Sequence, residues 1–525
     1  ILGAKTGVLL NDHLLGACVE PDGLAHLERP DLADELARAR NFDSGAMGPP
    51  LEAAVPEIGS GFATVLGGFT QGCVLFAFRW WAPFAMGGAW VLTHVLLKES
   101  AMWKIYSDDS YAKVSRDSDY AYRLAVDAPA AKEIRLFGLT DWIVDRFTAA
   151  RTTMATAMWE QRKLHMQPLR WSLILLVAGN LVVFWTLVSD ARSGALQLDR
   201  AVVFAQSAVG AAALGFGDFD WWFRGSAQPV PRVLDLAAKA RAAGSLPSGG
   251  LSADGLPAQS IRFESVSFAY PTTDGGCGGC PPTERKVLDG FDLEIPAGTS
   301  LAIVGPNGAG KTTLAKLLCR LYDPDGGSVR VDDTDIRSFD IASWRSRVTA
   351  VFQDFIRYEL SLRENVAPLG ADDARISSAL RLAKADDLAD LGTVLSKFYE
   401  GGTELSGGQW QRVALARALC RVAGGAGVIV LDEPTAQLDV RGEASIFDQL
   451  LEATRGRTVI LISHRFSTVR HADRICVLEH GRVVEFGSHA ELIAAGGRYK
   501  TMFELQASRF ADERSEEEEY DVAGT

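Results

Sequence analysis

The sequence is short of positive charge. It contains 53 Lys and Arg residues against 66 Asp and Glu residues, so its net charge is −13. A protein whose main partner is nucleic acid needs a basic surface, and this balance therefore argues against DNA or RNA as the partner. Part of the acidic excess is local, because the end of the chain, Glu513–Asp521, is expected to be a solvated, disordered tail.

Cysteine is scarce as well. Seven cysteines are scattered over 525 residues, which suits a reducing compartment. Only Cys277 and Cys280 lie close together, and one such pair supplies two of the four ligands of a structural zinc. We expect an inserted surface loop there, with a metal or redox site as the alternative. No signal peptide is visible, and since the chain starts at Ile1 rather than Met we expect a fragment or a processed form.

Charge is absent from four stretches, each close to the roughly 20 apolar residues that a membrane-spanning helix needs. These stretches are Ile58–Phe78, Trp80–Leu97, Trp171–Ser189 and Ala201–Gly217. Buried helices of a soluble protein are the alternative, but four uncharged stretches in one region favour a membrane domain. Basic residues flank the polar segment 98–170, which places that segment in the cytoplasm.

The polar segment 98–170 is helix-prone, so we expect it to extend two membrane helices into the cytosol. Its turn region, Glu133–Phe147, carries exposed apolar side chains that need a partner. They either pack within the helical hairpin or dock on the domain that follows. Asp31–Ala39 is a second candidate for such a docking helix.

Residues 242–259 are rich in Gly, Ser and Pro and predict a linker. Beyond them, short apolar strands such as Ser300–Val304, Val428–Leu431 and Thr458–Ile462 are each followed by a polar motif and a helix. This pattern predicts a partly parallel sheet covered by helices. Ligands of such sheets bind at the carboxyl ends of the strands, which is where the motifs fall.

The first motif, GPNGAGKT at Gly305–Thr312, is a complete P-loop between a strand and a helix. Glycines let the backbone wrap closely around phosphates, and the following helix directs its positive end at the anion. Lys311 would contact the β- and γ-phosphates, and the hydroxyl of Thr312 would bind Mg²⁺. A chance match arises on the order of once in tens of thousands of positions.

Further polar side chains follow neighbouring strands. Asp432 is suited to hold Mg²⁺, and Glu433 is suited to polarise an attacking water. His464 is better explained as a γ-phosphate contact than as a structural histidine, and the amide of Gln353 can bind metal or water. Tyr270 offers a ring on which adenine can stack, with an ordinary strand tyrosine as the alternative.

A second anion-binding design appears at Leu405–Gln409, which reads LSGGQ and leads into a helix. Ser-Gly-Gly at a helix start offers exposed amides and a hydroxyl without bulky side chains. One nucleotide can use both this turn and the P-loop only if the two converge. The spacing leaves open whether they converge within one chain or across a dimer.

In this order, the motifs resemble the ATPase domain of the ABC superfamily over about residues 259–508. The matching elements are Walker A at Gly305–Thr313, the Q-loop Gln353, the signature at Leu405–Gln409, Walker B at Val428–Glu433, the D-loop at Ala436–Asp439, the switch histidine His464 and the A-loop aromatic Tyr270. The resemblance implies that two ATP molecules are sandwiched head to tail between two subunits. In each site, Ser406, Gly407 and Gly408 of one subunit complete the P-loop site of the other.

The resemblance also implies a role for each matching residue. Glu433, His464 and Lys311 would be catalytic, and Thr312, Gln353 and Asp432 would bind the metal. The residues implied to bind the nucleotide are Tyr270, Gly305, Pro306, Asn307, Gly308, Ala309, Gly310, Lys311, Thr312, Thr313, Gln353, Leu405, Ser406, Gly407, Gly408, Gln409 and Asp439. The D-loop reads Ala-Gln-Leu-Asp where the family has Ser-Ala-Leu-Asp. This difference puts in doubt how hydrolysis is coupled to transport, but not hydrolysis itself.

The region before the ATPase motifs, with AKEIRLFGL at Ala131–Leu139, resembles bacterial type I exporters, also called the type IV fold. In particular it is similar to half-transporters found with peptide natural products such as lantibiotics. Such half-transporters have six membrane crossings against the four predicted here. The first crossing and most of the second would therefore precede Ile1.

The predicted fold class is an α-helical transmembrane domain followed by an α/β P-loop NTPase (ABC ATPase) domain. The predicted ranges are 1–56 for a cytosolic extension with a coupling helix, 57–235 for the transmembrane domain with its cytosolic loop 98–170, 236–258 for a linker, 259–508 for the ATP-binding domain and 509–525 for the acidic tail. The resemblance implies export of a peptide or other amphipathic small molecule, driven by ATP with Mg²⁺, across a bacterial plasma membrane. The ATPase would be cytoplasmic and the partner a second half-transporter, identical or different. An importer of the same fold, an ATP-gated channel and a soluble ABC ATPase are the alternatives.

Overall fold

A computed structural model describes residues 2–39, 51–99, 109–164, 166–214, 229–271, 286–434 and 449–507. The chain divides into two compact units, a helical unit of residues 1–20 and 31–241 and an α/β unit of residues 21–30 and 242–525. This division runs through the predicted extension 1–56 and the predicted linker 236–258. The Cys277 and Cys280 loop, the D-loop with Asp439 and the acidic tail lie outside the described residues.

The helical unit is built from α-helices. They are α1 (Leu2–Val19), α3 (Pro30–Ala39), α4 (Leu51–Leu75), α5 (Ala82–Glu99), α6 (Asp109–Val126), α7 (Ala131–Leu136), α8 (Thr140–Leu164), α9 (Met166–Arg192), α10 (Leu198–Gly210) and α11 (Pro229–Gly244). The short helix α2 (Ala25–Glu28) belongs to the α/β unit. Within the described residues, Val55–Leu75 and Arg170–Arg192 are long and apolar enough to cross a membrane, and Ala82–Leu92 is a shorter apolar helix.

Three of the predicted spans differ from the structure. Helix α4 ends at Leu75 and α5 begins at Ala82, so residues 76–81, which include Arg79 and the predicted ends of two spans, form a turn. Helix α10 has 13 residues and passes into a 3₁₀ helix at Ala211–Leu214, so the described part of the predicted span 201–217 is not one α-helix. At that junction a Cβ on Gly210 would lie 2.8 Å from Cγ of Gln71, which shows how closely α10 approaches α4.

The apolar helices α4, α5, α9 and α10 share a core. Its buried members are Leu75, Ala82, Met86, Val183, Leu187, Phe204, Ala208 and Ala211. A Cβ on Gly179 would lie 3.1 Å from the carbonyl oxygen of Ala85, and such small residues allow membrane helices to pack closely. Large apolar side chains such as Phe69 and Trp185 are exposed on the outside, which suits lipid better than water.

Helices α6 and α8 pack together as the predicted polar hairpin. The ring of Phe147 lies 6.2 Å from that of Tyr122, and Ile143 is buried. Packing within the hairpin therefore accounts for two of the apolar side chains of the turn region. Leu136, Phe137 and Trp142 are exposed in this chain, and docking by them stays a prediction.

The α/β unit contains two sheets. Strands β1 (Ser260–Phe268), β2 (Leu288–Pro296), β4 (Gly326–Val331) and β5 (Thr334–Asp335) form an antiparallel sheet in the order β2-β1-β4-β5. Strands β3 (Ser300–Val304), β6 (Val348–Val351), β7 (Val428–Asp432), β8 (Thr458–Ile462), β9 (Arg474–Glu479) and β10 (Arg482–Gly487) form the order β10-β9-β3-β8-β7-β6. All neighbours in the second sheet are parallel except β10. The predicted partly parallel sheet is thus confirmed.

Helices cover both faces of the parallel sheet. They are α12 (Lys311–Leu318), α13 (Ile341–Arg347), α14 (Leu362–Val366), α15 (Asp373–Leu382), α16 (Gly407–Ala423), α17 (Phe466–Val469) and α18 (His489–Ala495). Alternate residues of β3 face the two cores, because Leu301 packs with Leu314 of α12 while Ala302 packs in the cluster that holds Val413 of α16. Since β3, β8 and β7 are parallel neighbours, their carboxyl ends lie at the same edge of the sheet.

The predicted linker packs along the α/β unit. Ala253 is fully buried in its core, and Leu251 forms a bridge with Phe339. The carbonyl of Pro247 accepts a hydrogen bond of 2.7 Å from the buried guanidinium of Arg320. Composition predicted a linker here, and the structure adds that these residues pack on the α/β unit.

The N-terminal segment that packs on the α/β unit is 21–30, whereas the predicted docking helix Asp31–Ala39 lies in the helical unit. The N–H groups of Gly23 and Leu24 donate to the carbonyls of Gly244 and Leu321 at 2.7 and 3.1 Å. Leu24 and Ala25 also pack against the core of this unit, so an apolar contact supports the docked segment.

Candidate nucleotide-binding site

The P-loop begins where β3 ends and closes where α12 begins. Its residues Gly305, Gly308 and Gly310 have φ angles of 153°, 79° and 104°, a region that residues with side chains rarely adopt. A Cβ on Gly305 would lie 2.0 Å from the carbonyl oxygen of Leu478. The loop therefore requires glycine at these positions. It leads into the first turn of α12, where backbone N–H groups without partners inside the helix suit an anion.

Lys311 is the cation of this loop and is only 7% exposed. Its ammonium donates to the carbonyl oxygens of Gly305 and Pro306 at 2.8 and 3.0 Å. Burial lowers the pKa of Lys311, although the charges of Glu433 and Asp432 oppose this shift. An ammonium held in this way at the start of the loop can contact a phosphate as a point charge.

Thr312 and Asp432 form the second part of the site. The hydroxyl of Thr312 donates to a carboxylate oxygen of Asp432 at 2.7 Å. Asp432 ends β7 and is 3% exposed; burial raises its pKa, and the hydrogen bond from Thr312 works against that rise. Carboxylate and hydroxyl oxygens are ligands that Mg²⁺ accepts, so these two residues fit a magnesium ion bound beside phosphates.

Glu433 is the next residue and lies between two side chains from neighbouring strand ends. One carboxylate oxygen accepts a hydrogen bond of 3.0 Å from the amide of Gln353, and the other lies 3.2 Å from Nε2 of His464. Burial and the Lys311 ammonium lower the pKa of His464, while Glu433 opposes them; the net shift favours the neutral imidazole. A carboxylate fixed in this way can accept a proton from a water molecule.

Tyr270 lines the other end of the site, and its hydroxyl lies 3.0 Å from that of Thr313. The ammonium of Lys316 lies 5.1 Å from the centre of its ring and 3.0 Å from a carboxylate oxygen of Glu28. Tyr322 also donates to Glu28, and burial together with this contact raises the pKa of Tyr322. The aromatic ring is thus connected to the docked segment 21–30.

These groups surround one cavity of about 740 Å³. Its lining residues are Tyr270, Val287, Asn307, Gly308, Ala309, Gly310, Lys311, Thr312, Thr313, Gln353, Asp432, Glu433 and His464. Most of the predicted P-loop and strand-end residues are therefore brought together. Gly305 and Pro306 form the start of the loop and contact Lys311 from behind.

The signature turn does not line this cavity in the described part of the chain. Ser406 caps α16, with its hydroxyl accepting from the N–H of Gln409 and its own N–H donating to the side chain of Gln409 at 2.7 Å. Leu405 is buried, whereas Gly407 and Gly408 open the helix. The cap leaves this turn preformed but away from the P-loop of its own chain.

Sequence reasoning missed several residues of the site. Gln411 is 3% exposed, and its amide donates to the backbone carbonyl of Glu433 at 3.0 Å. The sequence feature that could have indicated Gln411 is a polar residue at a buried position of a helix, and this feature is not part of any motif. Glu28, Lys316 and Val287 were missed because their contacts come from the fold.

Comparisons with known proteins agree with this geometry. Residues 288–436 match the ABC transporter family. P-glycoprotein 14 of Caenorhabditis elegans is 38% identical over 272 residues, which are 50% of this chain and 20% of the relative. The mycobactin import ATP-binding/permease protein IrtB of Mycobacterium tuberculosis is 39% identical over 251 residues, 46% of this chain and 41% of the relative. The chain thus spans less than half the length of these curated relatives.

The structure of a bacterial Atm1-family ABC exporter with ATP bound is similar to this chain with a TM-score of 0.73. The similarity covers 96% of this chain and 86% of that chain at 23% sequence identity, so it shows the fold. The predicted fold class, a helical region followed by an α/β P-loop domain, is confirmed. The fold of this chain is therefore similar to that of the Atm1-family protein, and its residues 288–436 match the ABC transporter family model.

Proposed function

We propose that this chain is one half of an ATP-driven membrane transporter. The observation that carries the proposal is a single cavity that holds a buried cation, Lys311, a metal-binding pair, Thr312 and Asp432, and a fixed carboxylate, Glu433. The same chain contains apolar helices long enough to cross a membrane within its described residues. Hydrolysis and movement across a membrane are thereby joined in one chain.

Each side chain has a part in hydrolysis. The P-loop and Lys311 bind the β- and γ-phosphates of ATP, and adenine stacks on Tyr270. Thr312 and Asp432, with Gln353, would hold Mg²⁺, which would neutralise phosphate charge there. Glu433 accepts the proton of the attacking water that the Gln353 amide helps to place.

A second chain completes each site. Because Ser406, Gly407 and Gly408 do not line the cavity of their own chain among the described residues, the proposal assigns them to the nucleotide of an opposing protomer. ATP binding then closes two α/β units on two nucleotides. We assign Asp439 to this interface on resemblance alone.

Closure is passed to the membrane helices by cytosolic segments, which switch the helical units from inward- to outward-facing. The docked segment 21–30 and the exposed side chains Leu136, Phe137 and Trp142 are the candidates for this coupling. Hydrolysis resets the cycle. We place the protein in a bacterial plasma membrane with its α/β unit in the cytoplasm.

The cargo we propose is an exported peptide or other amphipathic small molecule. Import by the same fold is a second candidate, and one observation favours it: the relative IrtB is named as a mycobactin import protein. Transport assays in inverted vesicles separate the two, because an exporter accumulates its cargo inside such vesicles and an importer releases it.

The test of the catalytic proposal is Glu433→Gln in purified protein reconstituted in liposomes. ATP binding should persist, whereas hydrolysis should fall roughly 100-fold or more, since the amide cannot accept a proton. Glu504→Gln, the same change at an exposed carboxylate, should leave the rate unchanged. Turnover near the wild-type rate in Glu433→Gln would show that the role assigned to Glu433 is wrong.

A further inference from the structure

The backbone of Glu433 is in an unfavourable conformation. Its φ of 51° lies in the left-handed region, which a glutamate adopts only when its surroundings hold it there. Two hydrogen bonds do so. Its N–H donates to the carbonyl of Ile462 at 2.8 Å, and its own carbonyl accepts from the amide of Gln411 at 3.0 Å. The first bond comes from the neighbouring strand, and the second from the signature helix α16.

Gln411 is placed where a polar side chain is costly. It is 3% exposed, and its helix neighbours Trp410, Val413 and Ala414 belong to a hydrophobic core. An uncharged amide in such a place destabilises the fold unless it is hydrogen-bonded. An apolar residue would fill the same space at lower cost, and the 3.0 Å hydrogen bond to the Glu433 carbonyl is one contact that only a polar side chain provides here.

The same helix begins at the signature turn. Gln411 lies five residues after the cap residue Ser406, a separation of about 7.5 Å along a helix. One rigid element therefore connects the turn proposed to bind the opposing nucleotide with the backbone of the carboxylate proposed to hydrolyse this chain's own nucleotide.

We propose that Gln411 is a positioning residue for ATP hydrolysis. It holds Glu433 in the left-handed conformation, so that the carboxylate stays between Gln353 and His464, and it makes this orientation depend on the position of the signature helix. The inference rests on the proposed role of Glu433 and adds a device that joins the two nucleotide sites within one chain.

The test is Gln411→Met in the full-length protein in liposomes, which removes the amide and keeps the length of the side chain. The kcat of ATP hydrolysis should fall roughly tenfold, because the carboxylate loses its orientation while the phosphate contacts remain. KM and the Kd for ATP should not change. Thr454→Val is the matched control, since it removes a buried hydroxyl whose 2.7 Å bond to the carbonyl of Leu450 lies outside the cavity lining.

A measurement of dimer closure distinguishes a positioning role of Gln411 from a merely structural one. In a Glu433→Gln background, spin labels on the two α/β units should report the same ATP-dependent approach with and without Gln411→Met. Loss of closure, a raised KM or an unchanged kcat would each overturn the inference. Gln411→Leu is a second variant, and if neither variant folds, Gln411 is structural and the inference fails.

The two proposals fail in different ways. If the wild-type protein does not hydrolyse ATP, or Glu433→Gln keeps its rate, the proposed function is wrong. If those results stand and Gln411→Met hydrolyses ATP at the wild-type rate, only the role of Gln411 is wrong.

Discussion

At the scale of single residues, the site concentrates conformations and burial that a stable core would avoid. Gly305 and Gly310 have positive φ angles, and so does Glu433 although it carries a side chain. Lys311 and Asp432 are ionisable groups with little solvent exposure. Such features persist where the surroundings enforce them and where a ligand offsets their cost. Under the proposed function, a bound triphosphate offsets these costs.

Lys311 allows a direct test of this argument. We expect Lys311→Met to change the thermal stability of the nucleotide-free protein little, because relief of the desolvated ammonium offsets the loss of its hydrogen bonds to the carbonyls of Gly305 and Pro306. The stabilisation by MgATP should disappear, whereas a wild-type protein with ligand at 100 times Kd gains about 2.7 kcal/mol. Differential scanning fluorimetry with and without MgATP measures both quantities.

Lys500→Met, at a half-exposed lysine outside the cavity lining, serves as the control and should keep the full shift with MgATP. A large drop in the melting temperature of nucleotide-free Lys311→Met would contradict the argument, since it would mean that the ammonium stabilises the empty fold.

The sequence was sufficient to predict which side chains meet at the phosphate end. Asp432, Glu433, His464 and Gln353 each follow a strand, and parallel neighbours bring such ends to one edge of the sheet. Glu28 and Lys316 could not be predicted, because they are far apart in the chain and only the fold brings them together. Gln411 was hidden for a related reason, since its partner is a backbone carbonyl that carries no sequence signal.

At the scale of elements, local sequence patterns predicted the type of an element better than the residues at which it begins and ends. Absence of charge indicated apolar helices, but α10 ends at Gly210, where close packing on α4 matters more than composition. Docking by the helix Asp31–Ala39, which lies in the helical unit, stays a prediction, because an amphipathic pattern does not identify its partner. The segment that docks contains α2, a helix of four residues, which is too short to show any period.

Glu28 should hold this docked segment in place. Its carboxylate receives Lys316 at 3.0 Å and the hydroxyl of Tyr322, and both contacts weaken when the charge is removed. We expect Glu28→Gln to speed amide exchange in 21–30 by roughly fivefold, because a contact of this kind contributes about 1 kcal/mol. Hydrogen exchange with mass spectrometry on the detergent-solubilised protein measures it.

Glu400→Gln, at an exposed glutamate of the same unit, should leave the exchange of 21–30 as it is. Equal exchange in Glu28→Gln and the wild-type protein would show that backbone and apolar contacts alone dock the segment. Because Lys316 also lies against the ring of Tyr270, MgATP should slow exchange of 21–30 less in the variant than in the wild-type protein.

At the scale of the whole molecule, the question that spacing left open is how the two phosphate-binding turns meet. Within the residues that the structure describes, the P-loop lines the cavity and the signature turn does not. The proposed function therefore assigns the signature turn to the nucleotide of a second chain. Sequence could not decide this, because the two motifs are separated by about a hundred residues whose path only the fold defines.

Two differently tagged copies of the chain can distinguish sites shared across a dimer from sites within one chain. In the first mixture, one copy carries Lys311→Met and the other carries Ser406→Arg. In the second mixture, one copy carries both changes and the other is wild type. Each mixed dimer is purified through both tags and assayed for ATP hydrolysis in liposomes.

Shared sites predict that the first mixture keeps activity and the second loses it. In the first, both changes fall in the same composite site, so the other site has an intact Lys311 and an intact Ser406. In the second, each site receives one damaged turn, and neither can enclose a nucleotide. Sites built within one chain predict the opposite order, because the wild-type copy would then keep a complete site of its own. Since both mixtures contain the same substitutions in the same number, a difference in rate between them reports geometry alone.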